Sequence, residues 1–143
     1  PLDFANLYAV RRSSDSMRIR DVKEPMLIIA GSGMCTGGRI VGHLQELLSR
    51  EETCVIFVGY QAVGTPGRAI QNAAKARGDV FLGGQHVEVR AEVVTMGGLS
   101  AHADQRELTR WVKAIPNVKH VALHHGEPDA QRALARHLET AFG

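Results

Sequence analysis

Two cysteines, Cys35 and Cys54, are all that the 143 residues contain. They lie far apart and form no C-x-x-C. That excludes a disulfide scaffold and a cysteine-rich zinc site, and leaves reduced thiols as the simplest reading. No apolar run approaches the roughly 18 residues a membrane span needs, and no signal-peptide pattern is present, so no membrane association is expected and the expected location is cytoplasmic. Lys and Arg form no block. The net charge is +2 and the pI about 8.9, a mildly basic balance that permits a polyanionic partner without demanding one. Also missing are G-x-x-x-x-G-K-[ST], H-E-x-x-H and H-x-H-x-D-H, which removes a P-loop and the boxes that hold hydrolytic metals. There is no internal repeat and no low-complexity tract.

What is present is ordinary for a globular chain: 44% hydrophobic and 22% charged residues, enough for one modest domain or two small lobes. The chain opens at Pro1 and is already in mid-pattern by Leu2-Asp3-Phe4, which reads as a piece of a longer protein. Residues 1–12 have no clear period and read as a connecting segment. Ser13 or Ser14 is placed to cap a short helix to about Val22, stopped by Pro25. Met26 to Ala30 is wholly apolar and precedes a glycine cluster, the pattern of a buried parallel strand. Ile40, Val41, Leu44, Leu47 and Leu48 share one face of a helix over 38–49. Thr53 to Val58 reads as a second buried strand. Thr65-Pro66 puts a cap before a proline at the first helical position, opening an Ala-rich helix to about Arg77. Asp79 to Leu82 is a third strand, and Val87, Val89, Ala91 and Val93 alternate as one half-exposed strand. Asp104 and Glu107 form a capping-box pair for a helix carrying Leu108, Trp111, Val112 and Ile115. Val118 to His124 reads as a last strand, and Pro128 starts a final helix with Ala130, Leu134, Leu138 and Ala141 inward. Strands alternating with helices define the class as α/β.

Four stretches carry chemistry. Gly31-Ser32-Gly33-Met34-Cys35-Thr36-Gly37-Gly38 lies between a strand and a helix. Backbone N–H groups there can approach an anion beside the positive end of the helix dipole, with the hydroxyls of Ser32 and Thr36 and the charge of Arg39 in support. A plain strand-to-helix turn explains the pattern equally well. Gly59 to Arg68 is a second such turn. Its Arg68 stands in the first turn of a helix, where the dipole disfavours a cation unless a carboxylate or phosphate faces it. His102, in Gly97-Gly98-Leu99-Ser100-Ala101-His102-Ala103-Asp104, and His125, in His124-His125-Gly126-Glu127, each follow a strand and precede a helix, open to acid–base work or metal binding. His124 points away from His125 if strand alternation holds to the end. His43, His86, His120 and His137 read as solvated or hydrogen-bonded bystanders. Two histidines do not complete a zinc site, which takes three protein ligands for catalysis or four for structure.

Together, Gly-Ser-Gly-Met-Cys-Thr-Gly-Gly-Arg (31–39), Gly-Tyr-Gln-Ala-x-Gly-Thr-x-Gly-Arg (59–68), Gly-Leu-Ser-Ala-His-Ala-Asp-Gln (98–105) and His-Gly-Glu-Pro (125–128) resemble the C-terminal part of a β-CASP metallo-β-lactamase-fold ribonuclease of the cleavage-and-polyadenylation type. The resemblance runs from about residue 13 to the end. It implies that residues 1–85 are the second half of a β-CASP domain, a Rossmann-like α/β lobe, and that residues 86–143 are the RNA-specificity segment in which the chain returns to the metallo-β-lactamase fold. It implies RNA as partner, with Ser32, Gly33, Thr36, Gly37, Gly38 and Arg68 lining the RNA channel. His102 would be the catalytic histidine that meets the scissile phosphate and assists proton transfer. His125 would be a ligand to one of two zinc ions, which would activate a hydroxide for in-line attack. Leu99 stands where Phe is more usual, and His124 where an apolar residue is.

The family's H-x-H-x-D-H box, two further metal ligands and a carboxylate motif lie upstream and are missing here, so the expectation is a fragment of an enzyme that is inactive by itself. A second reading is a stand-alone RNA-binding module without metal. A third is a Rossmann-type nucleotide binder using the 31–38 turn. A lobe cut from a larger fold often self-associates, and a homodimer is an expected state.

Overall fold

The computed structural model describes residues 5–23, 25–99 and 102–142. Element order is α1 (Ser13–Met17, continuing as a 3-10 turn Arg18–Asp21), α2 (Arg39–Leu47), β1 (Cys54–Phe57), α3 (Pro66–Ala76), β2 (Asp79–Leu82), β3 (Gln85–Glu88), β4 (Glu92–Thr95), a 3-10 turn Gly97–Leu99, α4 (Gln105–Lys113) and α5 (Pro128–Phe142). The fold is mixed α/β. The chain divides into two compact units, Pro1–Leu99 and Ser100–Gly143.

In the first unit, α2 and α3 form where apolar residues recur at helical spacing, and both bury that face. Leu44, Leu48 and Ile70 meet Phe57, Leu82 and Val87 in one core, with Leu48 and Ile70 wholly excluded from solvent. The side chain of Thr65 accepts the Arg68 N–H at 3.3 Å and Pro66 follows, so α3 starts where its cap and proline predict. Strand β1 runs parallel to β4, with Cys54 opposite Glu92 and Phe57 opposite Thr95. Strands β2 and β3 form an antiparallel hairpin across the two-residue turn Gly83-Gly84, both at positive φ.

Four elements depart from expectation. The alternating run 86–93 is not one strand. The N–H of Val89 turns to Gly78 O at 3.0 Å, and those of Arg90 and Ala91 to Leu48 O at 2.8 and 2.9 Å. The ladder therefore breaks, and β3 and β4 join different sheets, although Val87, Val89 and Ala91 stay buried as the alternation requires. Residues 26–30 form no strand: no ladder among the described residues takes up their backbone, and Leu27 and Ile29 are 81% and 78% exposed. Residues 118–124 are likewise unpaired. Finally, β1 is buried on one side only, with Ile56 open to solvent. The short helix from Ser13 tightens into a 3-10 turn after Met17. Leu2 to Phe4, and Ser100 and Ala101 of the histidine turn, lie outside the described residues.

In the second unit, Asp104 and Glu107 close the capping box reciprocally: Asp104 Oδ1 accepts the Glu107 N–H at 2.8 Å and Glu107 Oε2 accepts the Asp104 N–H at 3.0 Å. Of the apolar residues assigned to α4, only Val112 is buried; Trp111 is 66% exposed and Leu108 and Ile115 stand at the surface. Leu138 is the buried residue of α5, whereas Ala130 faces solvent. Among the described residues no helix is long and apolar enough to cross a membrane.

Candidate functional site

The first unit brings two of the four motifs into contact. The 31–38 turn folds on itself: Gly37 O accepts the Ser32 N–H at 3.3 Å, Ser32 O the Cys35 N–H at 3.1 Å, and Gly31 O the Ile40 N–H at 3.3 Å. Ser32 Oγ accepts the Thr36 N–H at 3.1 Å and lies 3.1 Å from Thr36 Oγ1. Gly38, at φ +77° and ψ −172°, admits only glycine, because a Cβ there would stand 2.7 Å from Gly31 O. No hydrogen bond within the described residues takes up the N–H groups of Gly33, Gly37 or Gly38. Those of Gly37 and Gly38 sit at the start of α2, where the helix dipole also favours an anion.

The 59–68 turn grips this loop from the side. Met34 O accepts the Gly67 N–H at 3.1 Å. The buried amide of Gln61 donates from Nε2 to Gly33 O at 3.0 Å, Gly59 O at 3.2 Å and Tyr60 O at 3.3 Å. Arg68 donates from Nε to Gln61 O at 2.8 Å, and its guanidinium carbon lies 5.2 Å from the centroid of the Tyr60 ring. A carbonyl and an aromatic face thus hold Arg68 at the head of α3; among the described residues no carboxylate pairs with it.

Arg39 does not serve the turn as expected. Its Nη1 and Nη2 donate to the carbonyl oxygens of Val10 and Arg11, tying down the segment before α1. His43 hydrogen-bonds Ser16 Oγ at 2.9 Å, and burial, then the nearby Arg39 charge, push its imidazole below the usual histidine range. His86 is held 2.6 Å from Asp79 Oδ2. Burial raises the Cys35 thiol, which packs into the core, while Cys54 is exposed. A cavity of about 470 Å³ between α1 and α2, lined by Met17, Ile19, Met26, Ile28, Arg39 and His43, includes neither Ser32 nor Arg68.

The histidines lie in the second unit. His102 is exposed, two residues before the cap of α4. His125 is exposed at φ +68°, and its carbonyl accepts from Gln131 Nε2 at 2.9 Å. His124 does not point away: its ring meets that of His125 edge-on at 4.3 Å, because the segment is not a strand and the positive φ at His125 breaks the alternation. Among the described residues no three His, Cys, Asp or Glu gather as a metal cluster. His125 alone, with the ring of His124 edge-on to it, does not fit a zinc centre by itself.

Comparison with known proteins places the chain in a family. Residues 1–70 match the Beta-Casp domain and residues 86–143 the Zn-dependent metallo-hydrolase RNA specificity domain. Ribonuclease TTHA0252 of Thermus thermophilus is 39% identical over 138 residues, covering 96% of this chain and 31% of that protein. Transcription termination factor FttA of Pyrococcus abyssi is 38% identical over 139 residues, covering 95% and 22% respectively. RNase aCSPSF2 of Saccharolobus solfataricus is 33% identical over 126 residues, covering 88% and 24%. The chain belongs to the β-CASP family of metallo-β-lactamase-fold proteins and carries its RNA-specificity domain. It spans about a third or less of the length of these relatives.

Proposed function

We propose that this chain is the RNA-channel portion of a zinc-dependent ribonuclease acting in RNA processing or decay, in the cytoplasm. In this reading residues 1–85 complete a Rossmann-like β-CASP lobe and residues 86–143 return to the metallo-β-lactamase fold. The observation that carries it is the joining of the two glycine turns. Open N–H groups of Gly33, Gly37 and Gly38, with the Ser32–Thr36 hydroxyl pair and the head of α2 in the same turn, are donors suited to phosphate oxygens. Arg68 borders it as the cation that follows the backbone. The named activities of the two ribonucleases above support RNA as the polyanion.

His102 is the candidate catalytic residue, meeting the scissile phosphate and moving a proton. His125 is one ligand among several to a pair of zinc ions, the others being supplied by protein beyond these residues. The chain alone is therefore inactive, and a homodimer is a further expected state. The test is cleavage of end-labelled single-stranded RNA by the full-length protein with zinc. His102→Ala lowers the rate about 10²–10⁴-fold without loss of RNA binding, and His125→Ala lowers zinc content. Unchanged cleavage by His102→Ala overturns the assignment. Tight binding of two zinc ions by the 143 residues alone overturns the claim that they hold an incomplete centre.

A further inference from the structure

Gln61 is 3% exposed and is held by no element of its own: it leaves β1 and precedes α3. Its amide reaches across to the 31–38 turn, and its Nε2 meets three carbonyl oxygens, Gly33, Gly59 and Tyr60. The assignment of nitrogen and oxygen follows from that environment, since the reverse would set Oε1 against three acceptors. The consequence is a buried Oε1 with no partner, a cost that a side chain serving only to fill space would not carry. A Cβ on Gly67 would lie 1.8 Å from that oxygen, so the glycine leaves the amide its place. The main chain of Gln61 meanwhile holds Arg68, whose Nε donates to its carbonyl at 2.8 Å. One residue thus fixes the spacing between the donor-lined turn and the cation that borders it.

We infer that Gln61 is a positioning residue for RNA: its amide holds the Gly33 turn while its carbonyl holds Arg68, so that both face one strand together. The inference rests on the reading of these turns as RNA-binding. Gln61 touches no substrate and acts through the two elements it joins.

The test measures RNA affinity and stoichiometry of the full-length protein by fluorescence anisotropy with a labelled single-stranded oligoribonucleotide. Gln61→Met keeps the volume, removes the donors and also removes the unpaired Oε1. It is expected to weaken RNA binding about tenfold with one RNA still bound per site. Gln61→Glu sets a carboxylate against three carbonyls; its affinity relative to wild type is expected to recover as pH falls and the carboxyl gains a proton to donate. A merely structural role lowers the fraction of protein that binds while leaving the dissociation constant and its pH profile as in wild type, and that result overturns the inference. Ser32→Ala/Thr36→Val, measured alongside, separates the two levels. If it leaves affinity unchanged, the RNA-channel reading itself fails. If it weakens binding while both Gln61 variants bind as wild type does, the channel stands and the role of Gln61 falls.

Discussion

Replacing Gly38 by alanine tests how tightly the donor-lined turn is built. At φ +77° and ψ −172° the residue occupies a region that is glycine's alone, and an L side chain there costs about 1–3 kcal/mol. The new Cβ also meets Gly31 O at 2.7 Å and Ser32 N at 3.2 Å, both backbone atoms that do not swing aside. Relief requires moving Gly31, whose carbonyl accepts from Ile40 and so anchors the start of α2; losing that bond adds about 1 kcal/mol. The expected loss is about 2–4 kcal/mol of unfolding free energy in urea followed by circular dichroism. Gly42→Ala is the control. It lies within α2 with nothing within 4 Å of its added methyl, and it should gain about 0.5–1 kcal/mol. Equal midpoints for the two variants would refute the description of the turn.

Further outcomes follow from the same geometry. Asp104→Ala opens the capping box and should cost about 1 kcal/mol, read as faster amide exchange confined to the first turn of α4; slowed or unchanged exchange there counts against it. Iodoacetamide should label Cys54 at once and Cys35 only on unfolding, by peptide mass spectrometry, since burial keeps the Cys35 thiol protonated. His43 is held below its ordinary value of about 6.5, so the unfolded chain takes up the proton first as pH falls. Its contribution is present above that value and is lost as pH drops through the folded one. His43→Gln should flatten this part of the stability profile below about pH 6.5, and an unaltered slope would exclude it.

Local signals in the chain placed α2, α3 and the capping box of α4 well, because each is specified by neighbours a few residues away: Leu44 with Leu48, Thr65 with Pro66, Asp104 with Glu107. Strands were less legible. The apolar run 26–30 says nothing about which edge it would pair with, and Leu27 and Ile29 stand in solvent. The alternation at 86–93 foretold burial correctly and topology wrongly, since it carries no trace of the Leu48 carbonyl that interrupts the ladder. The glycine turns were visible as motifs, yet their contact was not. Gln61 reads as one more polar residue of the 59–68 turn until the fold brings Gly33 against it. Arg39 reads as an anion ligand, but carbonyls 28 and 29 residues away claim it.

The most direct test of the RNA-channel account is photocrosslinking of a 4-thiouridine-substituted single-stranded RNA to the full-length protein, with the crosslinked peptides located by mass spectrometry. Crosslinks are expected to concentrate on peptides holding residues 31–38 and 59–68 and to weaken in Ser32→Ala/Thr36→Val. Efficient crosslinking that avoids both turns and is indifferent to that variant would contradict the account.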